Sequence, residues 1–230
     1  LYCSLSRSPG PFYGIYDQQG STDYTTISTH NRIDSNLIST FYSVGIYMRY
    51  INGELCRNNT ITRGNCSSSS NTDTTLIGIF CLDGRSDNQA IEIKGNQIEH
   101  LPYKNASLNG AIDFIWNLYG INAWKLSGGG KRTVIIEDNR LSDFTYFSRF
   151  HGILSQYGEQ ISISKNVLYN VKGDRGYSFG IYSQLGDDVK MDHNVLRKID
   201  FGSGNTGDGV LLFGYEMGSG TWGENTVVGN

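Results

Sequence analysis

Pairs of apolar residues two apart recur along the chain: Ile91 and Ile93, Val134 and Ile136, Ile161 and Ile163, Val189 and Met191. Ser162 and Ser164 fill the opposite face of one pair, and Lys190 and Asp192 that of another. Period-two alternation over about five residues predicts a half-buried strand with one face in water. Each pair is followed by an Asn, and two residues beyond the Asn stands an aliphatic side chain. A second short run begins there, with inward positions two and five places past the Asn, as in Leu141 and Phe144, Leu168 and Val171, and Leu196 and Ile199. A third begins at each Gly followed by Ile or Val: Gly14, Gly45, Gly78, Gly120, Gly152, Gly180 and Gly209. No stretch sustains a helical period, so the chain is read as all-β, with three short strands and three turns per repeat.

The repeat has a measurable length. The marker asparagines are Asn31, Asn59, Asn96, Asn139, Asn166, Asn194 and Asn225, with partners Ile33, Ile61, Ile98, Leu141, Leu168, Leu196 and Val227. Successive gaps are 28, 37, 43, 27, 28 and 31 residues, a base period of 27 to 28 with insertions. The glycines keep step, 14 to 19 residues ahead of each Asn. A fixed period of this length means stacked repeats, each completing the core of its neighbours. Coils stacked at about 4.8 Å make seven of them a rod on the order of 30 Å long. An inward Asn at each turn can bond the turn backbone and the amide of the next Asn, because its side chain offers two donors and an acceptor. The residues before the markers are His30, Asn58, Gly95, Asp138, Lys165, His193 and Glu224. Five of these seven are Gly, Asn, Asp or His, which tolerate positive φ, so His30 and His193 are read as turn residues.

On these motifs the stretch from about Tyr13 to Asn230 resembles the right-handed parallel β-helix (PbH1-repeat) superfamily, with an inward Asn ladder of the kind found there. A left-handed hexapeptide solenoid would need a strict six-residue period, which is missing. At 230 residues the chain is expected to be one elongated β-solenoid domain, 1–230, rather than two. The chain starts Leu-Tyr-Cys-Ser and stops within a repeat, so a segment of a longer solenoid is expected. The superfamily holds pectate and alginate lyases, glycoside hydrolases, phage tailspikes, autotransporter passengers and surface adhesins. The likeness therefore points to carbohydrate and the cell exterior without selecting a reaction.

Composition narrows the partners. A net charge of −3 with 18% charged residues and no basic run speaks against nucleic acid. No apolar stretch reaches 18 residues, so no membrane-spanning helix is expected. Abundant Ser, Thr, Asn, Gly and Tyr suit an extracellular or cell-surface protein. Cys56 and Cys81 fall on inward strand positions and are read as buried thiols, while Cys66 lies in an insertion where a Cys56–Cys66 staple is conceivable in a secreted protein. Cys3 completes the four, and their spacing fits no zinc pattern, so no metal or cofactor is expected.

Chemistry is sought where the repeat changes. Insertions around Ser67–Thr75 and Pro102–Asp113, with smaller ones at Gly84–Asp87 and Gly128–Lys131, would rise from the rod as loops. Two outward columns follow the glycines: Tyr16, Tyr47, Phe80, Asn122, Leu154, Tyr182, Leu211, and then Gln18, Arg49, Leu82, Trp124, Gln156, Gln184, Phe213. Rings beside amides suit a glycan lying along the rod, with Tyr47, Arg49, Phe80, Trp124 and Tyr182 as its contacts. Just before the Gly, an apolar column is broken by His151 and Asp208; with Arg149 and Asp174 these are the candidate catalytic groups, and Asp143 and Arg175 lie nearby. Two functions follow. The first is an extracellular stalk, fibre or adhesin segment that contacts a polysaccharide or cell-surface glycan, or neighbouring solenoid coils. The second is a polysaccharide lyase or glycoside hydrolase built on Arg149, His151, Asp174 and Asp208, with Ca²⁺ needed only for lyase chemistry.

Overall fold

The computed structural model describes residues 13–18, 31–39, 41, 43–62, 75–86, 89–101, 117–127, 134–146, 149–173, 177–200, 206–213 and 226–228. Among them there is no helix. Twenty strands follow one another: β1 (Tyr13–Gln18), β2 (Arg32–Asp34), β3 (Leu37–Ser39), β4 (Val44–Arg49), β5 (Leu55–Arg57), β6 (Thr60–Thr62), β7 (Thr75–Arg85), β8 (Glu92–Lys94), β9 (Gln97–Glu99) and β10 (Asn117–Ser127). The second half holds β11 (Val134–Glu137), β12 (Arg140–Tyr146), β13 (Arg149–Gln156), β14 (Glu159–Ser164), β15 (Val167–Gly173), β16 (Tyr177–Gln184), β17 (Asp187–Asp192), β18 (Val195–Asp200), β19 (Thr206–Phe213) and β20 (Thr226–Val228).

The pairing is parallel throughout, and each strand lies beside the one three places on in the chain. One set therefore runs β1-β4-β7-β10-β13-β16-β19, a second β2-β5-β8-β11-β14-β17-β20, and a third β3-β6-β9-β12-β15-β18. The first two join into one curled 14-stranded sheet, and the third is a separate 6-stranded sheet. The join is made where β10 turns a corner and Ser127 pairs with Glu159 of β14. This all-parallel path in threes is compatible with a parallel β-helix.

Corners are built from residues in the left-handed region, several of them inside strands. Asp83 in β7, Lys125 in β10, Asp143 in β12, Asn170 in β15 and Lys198 in β18 all have φ between 52° and 59°. Such a residue resets the alternation. It explains why Leu141 and Phe144, three apart, are both buried on either side of Asp143, and likewise Leu168 and Val171 around Asn170. Before the turn asparagines, Ser35, Asn58, Asp138, Lys165 and His193 have φ of 51° to 58°, and Gly95 has 66°. The turn backbone stays paired between units: Gln97, Arg140, Val167 and Val195 N–H donate to the carbonyls of Asn59, Asn96, Asn139 and Asn166 at 2.8 Å.

The buried asparagines form a continuous chain of amide bonds. Nδ2 of Asn36, Asn59, Asn96, Asn139 and Asn166 donates to Oδ1 of the next one, ending at Asn194, over 2.9 to 3.0 Å. Each Oδ1 also accepts the backbone N–H of the preceding Asn at 3.0 Å. The first member is Asn36, not Asn31. Ile33 pairs with Cys56 in the second set, whereas Ile38 pairs with Ile61 in the third. At the other end Val227 pairs with Met191 of β17, again in the second set; Asn225 itself lies outside the described residues. At both ends an Asn-x-aliphatic triplet belongs to the strand ahead of the one expected.

One continuous core runs through the stack, from Ile46 and Met48 to Val189 and Met191. The reason Gly and the aliphatic after Asn keep step lies here. A Cβ on Gly78 would stand 2.7 Å from Ile98 Cγ2 and 2.6 Å from the Gly120 carbonyl oxygen, and one on Gly45 would stand 2.6 Å from Ile61 Cγ2. The aliphatic occupies the space that the missing side chain leaves. Cys56 and Cys81 are buried free thiols; Cys66, the other half of the staple considered above, lies outside the described residues. Cys56 instead lies 3.6 Å from Asn59 Nδ2, and burial pushes its thiol pKa up.

Candidate functional site

The first strand set carries both outward columns named from the sequence. Register places Tyr16, Tyr47, Phe80, Asn122, Leu154, Tyr182 and Leu211 in one line, and Gln18, Arg49, Leu82, Trp124, Gln156, Gln184 and Phe213 in the next. The residues just before the glycines, Tyr13, Val44, Ile77, Tyr119, His151, Phe179 and Asp208, form a third line. The first and third lines touch and make a ribbon of rings up the face. Tyr16 stacks on Tyr47 at 5.1 Å and 5°, Tyr47 meets Phe80 edge-on at 5.5 Å, and Phe179 stacks on Tyr182 at 4.5 Å.

Access differs along the ribbon. Tyr47 is only 9% exposed and belongs to a small cluster with Val44 and Ile77, whereas Tyr16 is 53% exposed. Phe80 and Tyr182 are half-buried. Arg49 lies 3.5 Å from Asp83 and over the ring of Tyr50, so its guanidinium is already engaged. Besides the exposed Tyr16, a second presented aromatic pair stands one line over: Trp124 faces Tyr157 at 5.9 Å, and Tyr157 is 39% exposed. Beside it Gln156 Nε2 donates to Gln184 Oε1 at 2.6 Å, a short amide ladder on the same line as Trp124. Tyr157 went unnoticed in the sequence because it follows the line at a corner, with φ of 52°, rather than standing in it.

His151 sits inside the ribbon. Its ring stacks on Tyr119 at 5.2 Å and 4°, on Phe179 at 5.4 Å and on Tyr182 at 5.9 Å. It is 6% exposed and its Nδ1 has no hydrogen-bond partner. Burial, with the Arg149 guanidinium as a lesser cause, pulls its pKa down to about 4, so the imidazole is neutral at pH 7. Burial also raises the Tyr119 pKa, opposed by Arg149. Asn122, 5% exposed, has an Oδ1 without a partner on the same face. Arg149, His151 and Tyr119 are thus brought together. Asp208 is not adjacent to His151: Phe179 separates them in the line, a backbone distance of about 10 Å at two strand spacings. Asp174 and Arg175 lie outside the described residues, as do most of the insertions, and Asp143 serves as a corner bonded to Asn170 Nδ2 at 2.6 Å.

Several charges on other faces pair between neighbouring units. Arg57 pairs with Glu92, and Glu137 accepts from Lys94 at 2.5 Å and Lys165 at 2.8 Å. His193 is a turn residue whose Nδ1 meets Asp192. Among the described residues, no group of three or more His, Cys, Asp or Glu side chains could hold a metal ion, and no helix is long and apolar enough to cross a membrane. No protein-family model, no curated protein and no solved structure matches the chain.

Proposed function

We propose that the chain is a right-handed parallel β-helix of about seven coils, of the PbH1-repeat kind, in which the buried asparagines form the inward ladder. As such it serves as an extracellular structural or adhesive rod that holds a glycan along its outward aromatic and amide line. The observation that carries this reading is the Trp124–Tyr157 ring pair set beside the Gln156–Gln184 amide ladder. Rings of this kind offer flat apolar faces for the C–H face of a sugar, and the amides offer donors and acceptors for its hydroxyls. Tyr182 and Phe80 extend the surface, whereas Tyr47 supports it from below. The second reading, a polysaccharide lyase or glycoside hydrolase, draws on His151 beside Arg149. It stands second because an imidazole with a pKa of about 4 is a weaker base than free histidine.

The test is binding of the purified protein to a panel of neutral and acidic polysaccharides, by calorimetry. Trp124→Ala and Tyr157→Ala should each weaken the best binder roughly two- to tenfold, with Tyr47→Phe unchanged. Full affinity in both alanine variants would remove the line as the glycan surface.

A further inference from the structure

The third strand set carries exposed cations that the ion pairs of the stack leave out. Arg140 of β12 shares a line with Val167 of β15 and Val195 of β18, and Ser142, Tyr169 and Arg197 form the next. Beyond the corner made by Asp143, Asn170 and Lys198 lies a third line, Thr145, Lys172 and Asp200. Arg140, Lys172, Arg197 and Lys198 are all exposed. Lys198 Nζ donates to the Tyr169 hydroxyl at 2.7 Å and stands 5.0 Å from the centre of that ring. The other three cations take part in no ion pair among the described residues. Two carboxylates share the face: Asp143, bonded to Asn170, and Asp200. Four cations against two carboxylates leave a local excess of two positive charges, on a chain whose net charge is −3. The excess is confined to these strands, because β3, β6 and β9 of the same sheet carry no Lys or Arg.

The size of the patch selects the kind of partner. β18 is 6 residues long, and three strands of that length cover about 300 Å². A stable pair of protein chains buries about 800 Å² on each partner, so the patch suits a slender polyanion better than a second copy of this chain. Arg140 and Arg197 stand two strands and two residues apart, a backbone separation of about 12 Å. That exceeds the Debye length of about 8 Å at physiological salt but not the longer one of dilute buffer, where the fields of the two charges add. Their guanidinium forks accept carboxylate or sulfate oxygens in pairs, and half-buried Tyr169 on the intervening strand supplies apolar surface for a sugar ring. We propose that the outward face of β12, β15 and β18 is a second glycan site, which takes an acidic polysaccharide through Arg140, Lys172 and Arg197. It shares with the Trp124–Tyr157 line only the reading of the rod as a holder of glycan. It lies on the separate 6-stranded sheet and takes a different class of chain.

Calorimetric titration of the whole chain with polygalacturonate, dextran sulfate and neutral dextran tests the site. Affinity for at least one acidic chain should fall roughly tenfold as salt rises from about 50 to about 200 mM. Arg140→Gln/Arg197→Gln should lose about tenfold in dilute buffer and flatten that salt dependence. Asp143→Asn keeps a corner residue and an acceptor for Asn170 while removing a repelling charge, so it should tighten binding roughly twofold. Acidic binding that survives Trp124→Ala and is lost in the double arginine variant supports the site even if dextran is not held, an outcome that would count against the aromatic line alone. An unchanged affinity and salt slope in the double variant would overturn the proposal. So would loss of acidic binding in Trp124→Ala with the arginines intact. A sedimentation mass that doubles in dilute buffer without polysaccharide, and reverts in the double variant, would overturn it by making a second copy the occupant.

Discussion

Replacing Asn139 by Ala should cost far more than replacing Asn36, although both belong to the same chain of amides. Asn139 is 1% exposed and its side chain makes four bonds. Nδ2 donates to the Ile93 carbonyl at 2.8 Å and to Asn166 Oδ1 at 3.0 Å, while Oδ1 accepts from Asn96 N–H and Asn96 Nδ2, both at 3.0 Å. In Asn139→Ala, Asn166 Oδ1 keeps the Asn139 backbone N–H, and Asn96 Nδ2 keeps the Cys56 carbonyl at 2.9 Å. The Asn96 N–H and the Ile93 carbonyl each lose this partner in a dry interior. At about 1 to 3 kcal/mol for the orphaned Asn96 N–H and about 1 kcal/mol for the Ile93 carbonyl, which keeps its place in the β8–β11 ladder, the loss is about 3 kcal/mol. Asn36 is half-buried and donates only to the Asp34 carbonyl and Asn59 Oδ1, at 3.1 and 2.9 Å, and Asn59 Oδ1 keeps the Asn36 backbone N–H. Its replacement should cost about 1 kcal/mol. Urea unfolding followed by circular dichroism gives both losses from the midpoint shifts. Equal losses for the two variants would refute the argument, because depth within the amide chain would then carry no energy.

Two further outcomes follow from the same geometry. Gly78→Ala forces a Cβ to 2.6 Å from a backbone oxygen that cannot move alone, so it should destabilise by about 3 kcal/mol, and trimming the opposing side chain in Gly78→Ala/Ile98→Val should restore only part of it in thermal melts. The His151 pKa of about 4 lies below its unfolded value, so the neutral form's contribution is complete above about pH 6.5 and is lost as pH falls toward 4, by about 3 kcal/mol in all. His151→Phe should remove that acid limb from the stability profile; an unaltered limb would place the titration elsewhere.

The middle of the chain was legible because three signals reinforce one another there. The Asn139, Asn166 and Asn194 spacing, the Gly in step with each, and the alternation ahead of them all arise from one physical unit. The ends misled because Asn-x-aliphatic is also what an ordinary alternating strand produces. Only strand pairing shows that Ile33 and Val227 belong to the second set. Aligning on Asn36 would have corrected the first case. The corners inside strands were illegible for a different reason. Lys125, Tyr157 and Leu185 have positive φ without being turn formers, so packing of the stack imposes a conformation that the local residue does not prefer. The outward lines could be placed from periodicity, but not their access to solvent. Tyr47 and Tyr16 share a line and differ almost sixfold in exposure, 9% against 53%.

Retention and cleavage of polysaccharides, scored in the same incubation with and without Ca²⁺, test the central proposal most directly. A rod that holds glycan should retain at least one polysaccharide through Trp124 and Tyr157 and leave its chain length unchanged. Shortening of the polysaccharide that is abolished by Arg149→Ala or His151→Ala in folded protein would contradict this, and would make the His151 face an active site.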